Sequence, residues 1–198
     1  MLKTKGDILL TVLEGFFKST VFLRRMDNYL FLPKRKEYEE LSADLGFTKT
    51  FFPPGDFVFL EESSKNKLLE KLRKIHKKII VYRPATDDLL RFALEKTTVD
   101  IFLGVEHLHP KDSVHYLRSG LDQILCTIAA ERGKTIAFSF SELLNSPERA
   151  KLLARMMFNI KLCQKYKIKM LFSTFTQNKE EMRSAKDLEI FWQTLQSV

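Results

Sequence analysis

An α/β fold built on parallel strands is what this sequence predicts, and three observations predict it. Short β-branched and aromatic runs alternate with amphipathic helical stretches from about residue 26 onward. The connections are short enough for successive strands to lie parallel as neighbours. One stretch, Thr135–Thr174, contains a complete strand–helix–strand unit. Seven or so strands in such an alternation make either an open doubly wound sheet or a (β/α) barrel, and periodicity alone leaves both open.

The elements follow in order. Lys5–Arg25 places Ile8, Leu9, Val12, Leu13, Phe16 and Phe17 at helical spacing, which predicts an amphipathic N-terminal extension over residues 1–25. A single α/β domain is expected over 26–198. Asn28–Leu32 reads as a strand ended by Pro33; Lys34-Arg35-Lys36 follows, then a helix to about Leu45 with Gly46 as its C-terminal cap. Lys49–Phe52 and Phe57–Leu60 are strands on either side of the turn Pro53-Pro54-Gly55. A Lys-rich helix from Ser64 to about His76 precedes the strand Ile79–Tyr82. Arg83-Pro84 breaks the chain, and Thr86 caps a helix carrying Leu89, Leu90, Phe92 and Leu94. Val99–Leu103 is a strand, Val105–Ser113 a loop, and Ser119–Arg132 a helix stopped by Gly133.

Thr135–Phe140 is the next strand. Ser146-Pro147-Glu148 then suits a helix start, with a capping hydroxyl, a proline fit for the first turn and an acid at the positive end of the dipole. At about 100° per residue, Leu152, Leu153, Met156, Met157, Ile160 and Cys163 share one face, and Lys151, Arg155, Lys161 and Lys165 the opposite one. Ile168–Ser173 is the last strand. Ser184 with Asp187 resembles a capping box for a helix to about Leu195.

Composition narrows the function classes. Lys and Arg number 33 against 25 Asp and Glu, for a net charge of +8. From Arg149 to Lys179 there are eight Lys or Arg and no Asp or Glu. A basic face without interleaved acids favours a polyanion, most often nucleic acid. No apolar run approaches the roughly 20 residues that span a bilayer, and the early apolar block is interrupted by Asp7 and Glu14, so neither membrane insertion nor a signal peptide is expected. A cytoplasmic protein is the expectation. Cys126 and Cys163 sit in apolar helical patterns and read as buried free thiols. No GxGxxG or Walker-type loop follows the first strand, so nucleotide binding has no support.

Two chemistries compete at the strand ends. Glu106-His107-Leu108-His109 follows the strand Val99–Leu103, and an H-x-H there resembles the metal sites of amidohydrolases and PHP-type phosphoesterases. A metal-dependent phosphoesterase centred on His107 and His109 is therefore the alternative reading, with Glu61 and Glu62 as further possible ligands. The other strand ends are basic or hydroxylic, the wrong chemistry for ligating a cation. Lys34, Arg35, Lys36, Arg83, His107, His109, Lys111 and Arg118 should lie near one end of the sheet, with Ser139, Ser173 and Thr174 as hydroxyl donors and Lys179 and Arg183 in the loop after the last strand. Together they could follow an RNA backbone by charge and shape. No Ser-His-Asp or Cys-His arrangement stands out, and no protein-borne catalytic residue or metal ligand is assigned on this reading.

The run AFSFSELLNSPERAKLLARMMFNIKLCQKYKIKMLFST, followed by Met182–Leu188 (MRSAKDL), resembles archaeal ribonuclease P protein component 3. Val99-Asp100-Ile101, Ser119-Gly120-Leu121-Asp122 and Leu45-Gly46-Phe47 fit the same family in the same order, so the resemblance covers about Met26 to the C-terminus. It implies a TIM-like barrel related to the PHP type. It also implies a subunit that helps a catalytic RNA remove the 5′ leader of precursor tRNA. The RNA would carry the active site and its Mg2+, while the protein binds and stabilises RNA and contacts other subunits, especially component 2. Carried over by position, the resemblance matches Ser139 and Ser173 at strand ends, Arg149 at a helix start, and Arg183 and Asp187 in the final motif. Arg149 and Arg183 are expected to touch RNA or to form supporting ion pairs, and Asp187 to cap a helix. In the family a further element past the last helix helps close the barrel, whereas this sequence ends at Val198. A distorted or incompletely closed barrel is therefore expected, with residues 1–25 filling the gap.

Overall fold

The computed structural model describes residues 26–197. The N-terminal helix expected over 1–25, and its part in closing a barrel, lie outside the described residues. Seven strands are present among them: β1 (Asp27–Tyr29), β2 (Lys49–Phe51), β3 (Phe57–Leu60), β4 (Ile79–Tyr82), β5 (Ile101–Leu103), β6 (Thr135–Ser139) and β7 (Lys169–Ser173). The α-helices are α1 (Lys36–Asp44), α2 (Lys65–Arg73), α3 (Asp87–Lys96), α4 (Gln123–Glu131), α5 (Phe140–Asn145), α6 (Arg149–Lys165) and α7 (Ala185–Ser197).

Every pairing is parallel. β3 to β7 form one sheet in sequence order, and β1 and β2 form a second. The two sheets are tied by backbone bonds beyond their ladders. Phe175 N–H donates to Tyr29 O at 2.8 Å and Phe31 N–H to Thr176 O at 2.9 Å. Among the described residues no ladder joins β2 to β3, so the parallel α/β sheet stands as expected while a closed barrel is not seen.

The strands are apolar on both faces because both faces are covered. Tyr29, Phe57, Val81, Ile101, Leu103 and Ala137 form one buried cluster, joined by Phe31, Phe51, Phe59 and Leu171. Tyr29 of β1 and Phe31 just beyond it meet β3 there: the Tyr29 and Phe57 rings are 5.6 Å apart and Phe31 and Phe59 4.6 Å. The alternate residues, Ile80, Tyr82, Phe102, Ile136, Phe138 and Phe172, pack on the helices. Trp192 of α7 stacks on Phe172 at 5.1 Å, which seats the last helix against β7.

Several starts shift from expectation. Thr86 and Asp122 cap α3 and α4 by accepting from Leu89 N–H (3.3 Å) and Leu125 N–H (2.7 Å), so α4 begins at Gln123 rather than Ser119. Gly120 stands before it at φ 90°, and a Cβ there would lie 2.1 Å from Val105 O. Only glycine fits that close approach. α5 occupies what reads as loop, because Ser139 ends β6 and accepts Glu142 N–H at 3.1 Å. α6 therefore starts at Arg149, three residues after Ser146. Ser184 accepts Asp187 N–H at 3.1 Å, as the capping pattern requires.

Candidate functional site

The C-terminal ends of β4, β5 and β6 bring Arg83, Glu106, His107 and Glu142 together. Arg83 follows β4 directly. Glu106 and His107 lie in a short 3-10 turn, Val105–His107, that opens on Gly104 at φ 75°. Glu142 sits in the first turn of α5. The sequence placed Glu106 and His107 in a loop and gave Glu142 no role, since α5 had no periodicity long enough to read.

Glu142 is the centre of the cluster. Arg83 pairs with its Oε1, and His107 Nε2 donates to its Oε2 at 2.8 Å. Arg83 also reaches Glu61 at 3.4 Å and lies 5.5 Å from the Phe59 ring centre. The hydrogen bond from His107 to Glu142 holds the imidazolium form, raising the His107 pKa against the opposing effect of burial. Glu106 is 1% exposed, and neither carboxylate oxygen has a hydrogen-bond partner. Burial first, and the neighbouring Glu142 charge second, push its pKa up to about 7.

The turn carrying Glu106 and His107 is held from behind by Arg155 of α6. Its Nη1 donates to Glu106 O (2.9 Å) and His109 O (2.7 Å), while Nε and Nη2 both reach Asp112 Oδ1 (3.0 and 2.7 Å). This overturns the expectation that Arg155 belongs to a basic face open to a polyanion, since its side chain is 4% exposed. Helical periodicity puts Arg155 opposite the core stripe; it cannot show that the 104–112 segment folds over that side of α6. Lys151 likewise reaches Pro110 O at 2.9 Å.

The remaining sequence-predicted residues separate into two groups. Ser139, Ser173 and Thr174 are buried at strand ends, and their hydroxyls are engaged within the fold. Ser139 donates to Thr174 O at 3.3 Å, Ser173 accepts Tyr29 N–H at 2.7 Å, and Ser173 and Thr174 both donate to Asn28 Oδ1. Rather than facing a ligand, Ser173 and Thr174 join β1 to β7, while Ser139 ties the end of β6 to Thr174 and caps α5. The cations are at the surface, and most are paired. Lys34 lies 3.4 Å from Glu39, Lys36 3.3 Å from Glu40 and Lys179 3.2 Å from Glu37. Arg35 stands over the Tyr38 ring. Arg149 donates to Leu143 O and Leu144 O, closing the end of α5, and Arg183 to Glu180 O and Met182 O. Lys111 and Arg118 are exposed in the segment after β5. So are Lys161, Lys165, Lys167 and Lys169, at the opposite end of the sheet where α6 turns into β7.

The H-x-H pair does not converge. His107 faces Glu142, whereas His109 Nε2 lies 3.2 Å from Asp87. Glu61 and Glu62 are directed to Arg83 and Lys71. A metal centre built on His107 and His109 together, as the hydrolase reading requires, is not what the geometry assembles. The convergent donor set is instead Glu106, His107 and Glu142, whose ligand atoms lie within 4.8 Å of one another.

No family model matches the chain. Individual relatives do. Ribonuclease P protein component 3 of Methanocaldococcus jannaschii is 31% identical over 165 residues, covering 81% of this chain and 67% of that protein. The protein of the same name in Archaeoglobus fulgidus is 26% identical over 161 residues, covering 78% and 75%. Among solved structures, a chain in the cryo-EM structure of archaeal ribonuclease P with mature tRNA matches with a TM-score of 0.62 at 25% identity, over 98% of this chain and 80% of that one.

Proposed function

The chain belongs to the ribonuclease P protein component 3 family, and from that premise we propose how it serves the enzyme. It acts as a protein subunit of ribonuclease P, in the holoenzyme that removes the 5′ leader of precursor tRNA. The observation that carries this is the match over most of the chain to component 3 proteins, joined to the fold shared with an archaeal ribonuclease P complex. Catalysis belongs to the RNA and its Mg2+ on this reading, and the protein binds and stabilises RNA. The curled parallel sheet serves as an incompletely closed relative of a TIM-like barrel, presenting loops from its strand ends. Component 2 is the proposed protein partner, and the cytoplasm the proposed location.

Lys111 and Arg118 are the strongest candidates for phosphate contacts among the expected residues, because they are exposed and lie in one segment. Lys34, Arg35, Lys36, Arg83, His107, His109, Arg149, Lys179 and Arg183 would contribute charge at the same end while remaining tied to protein groups. A cation held by a surface carboxylate gains little from it, so RNA phosphates can compete for Lys34, Lys36 and Lys179. Each phosphate neutralised releases counterions, and the logarithm of the affinity must fall linearly with the logarithm of the salt concentration.

The test is filter binding of the full chain to ribonuclease P RNA across a salt series. A steep negative slope, made shallower by Lys111→Ala with Arg118→Ala, supports the assignment. A flat salt response would refute it.

A further inference from the structure

The group at the ends of β5 and β6 has the composition and spacing of a cation site that neither the family match nor RNA binding requires. We propose that Glu106, His107 and Glu142 hold one divalent transition-metal ion that ties the 104–112 segment to α5.

Two observations point to a ligand here. The first is the donor set itself: two carboxylates and an imidazole whose ligand atoms lie within 4.8 Å of one another, with His107 Nε2 already 2.8 Å from Glu142 Oε2. Two ligands of one ion, each at about 2.1 Å, lie about 3 Å apart when they bind at right angles. The His107–Glu142 pair therefore needs to move little to share an ion. The second is Glu106. Its carboxylate is buried, lacks any hydrogen-bond partner, and belongs to the same cluster. A buried polar group without a partner calls for an explanation, and an unseen ion is one of the few available. Mere packing does not account for it, because an apolar side chain would fill the space at lower cost.

There is room and access. His107 lines two cavities beside the turn: one of about 140 Å³ with Glu106 and His109, and one of about 480 Å³ with Arg83 and Glu142. Arg83 does not close the site: it occupies Glu142 Oε1 and leaves Oε2 facing His107. Arg155 fixes the backbone of Glu106 through its carbonyl, so this ligand is presented by a rigid turn. Mixed imidazole and carboxylate donors favour Mn2+, Fe2+ or Zn2+ over Ca2+ or Mg2+, which prefer oxygen alone. The ion would be distinct from any Mg2+ carried by RNA, because its three ligands are protein side chains.

The test uses the full chain, stripped with chelator and checked for cooperative unfolding, with Mn2+ alone as the probe in equilibrium dialysis. One ion per chain is expected. Glu106→Gln and His107→Ala should each weaken binding at least about tenfold, since even loss of a supporting group costs a metal site 10–100-fold. His115→Gln, an exposed histidine outside the cluster, should leave it unchanged. Because Glu106→Gln preserves shape, a folded variant that binds Mn2+ as tightly as the parent would overturn the proposal. So would a parent chain that takes up no ion at millimolar Mn2+, or binding lost equally in His115→Gln.

Discussion

Replacing Arg155 with methionine tests how the site is supported. The guanidinium is buried and makes four hydrogen bonds, two to backbone carbonyls and two to Asp112. Methionine keeps most of the volume, so the loss is polar. Asp112 retains about a quarter of its side-chain exposure and can take water in place of Arg155. The carbonyls of Glu106 and His109 lie under α6, and stranding them costs roughly 1–3 kcal/mol each. Together the two carbonyls give about 2–6 kcal/mol. For a chain of this size each kcal/mol moves the melting temperature by roughly 2–4 °C, so Arg155→Met should melt about 10 °C lower. Differential scanning calorimetry of the parent, Arg155→Met and Arg155→Lys measures it. The lysine variant keeps the charge, loses the fork and should fall between the two. A shift below about 2 °C for Arg155→Met would mean that water replaces all four bonds, and the claim that Arg155 anchors the 104–112 segment would fail.

Four further outcomes are expected. Gly120→Ala should destabilise by more than about 3 kcal/mol in denaturant titration, because the new Cβ meets Val105 O. Gly133→Ala, at φ 62° with nothing nearby, should lose only about 1–2 kcal/mol. Hydrogen bonds from Ser141, then Thr176 and Asn145, hold the Glu181 carboxyl below its usual pKa. Its stabilisation is present above the unfolded carboxyl pKa and is lost as pH falls through the lower folded value. Glu181→Gln should therefore flatten the acid limb of the stability curve, and an unchanged limb would count against the network. Burial pushes the Cys126 thiol up to about 11 and Cys163 higher still, so both should resist a thiol reagent in the native state and react together on unfolding.

The strands and long helices were legible because their signals are local. Ile79–Tyr82 and Ile136-Ala137-Phe138 are continuous apolar runs, as a sheet covered on both faces requires. The site was legible only in part. Glu106 and His107 stood out after β5, but their partner Glu142 belongs to a six-residue helix too short to show a period. Arg155 was misplaced because helical spacing describes one helix and not the segment folded across it. The hydroxyls of Ser173 and Thr174 sit at the expected strand end, yet the β1–β7 junction that takes them up depends on a contact some 145 residues apart in sequence. Closure of the sheet into a barrel is likewise a long-range matter that alternation cannot reveal.

The central claim is that the chain serves ribonuclease P, and reconstitution tests it most directly. Cleavage of a precursor tRNA by ribonuclease P RNA with its other protein subunits would be timed with and without the full chain. Added chain should accelerate removal of the 5′ leader or lower the Mg2+ needed for it, and the gain should shrink as salt rises. An identical cleavage rate at every Mg2+ and salt concentration, with and without the chain, would contradict the account.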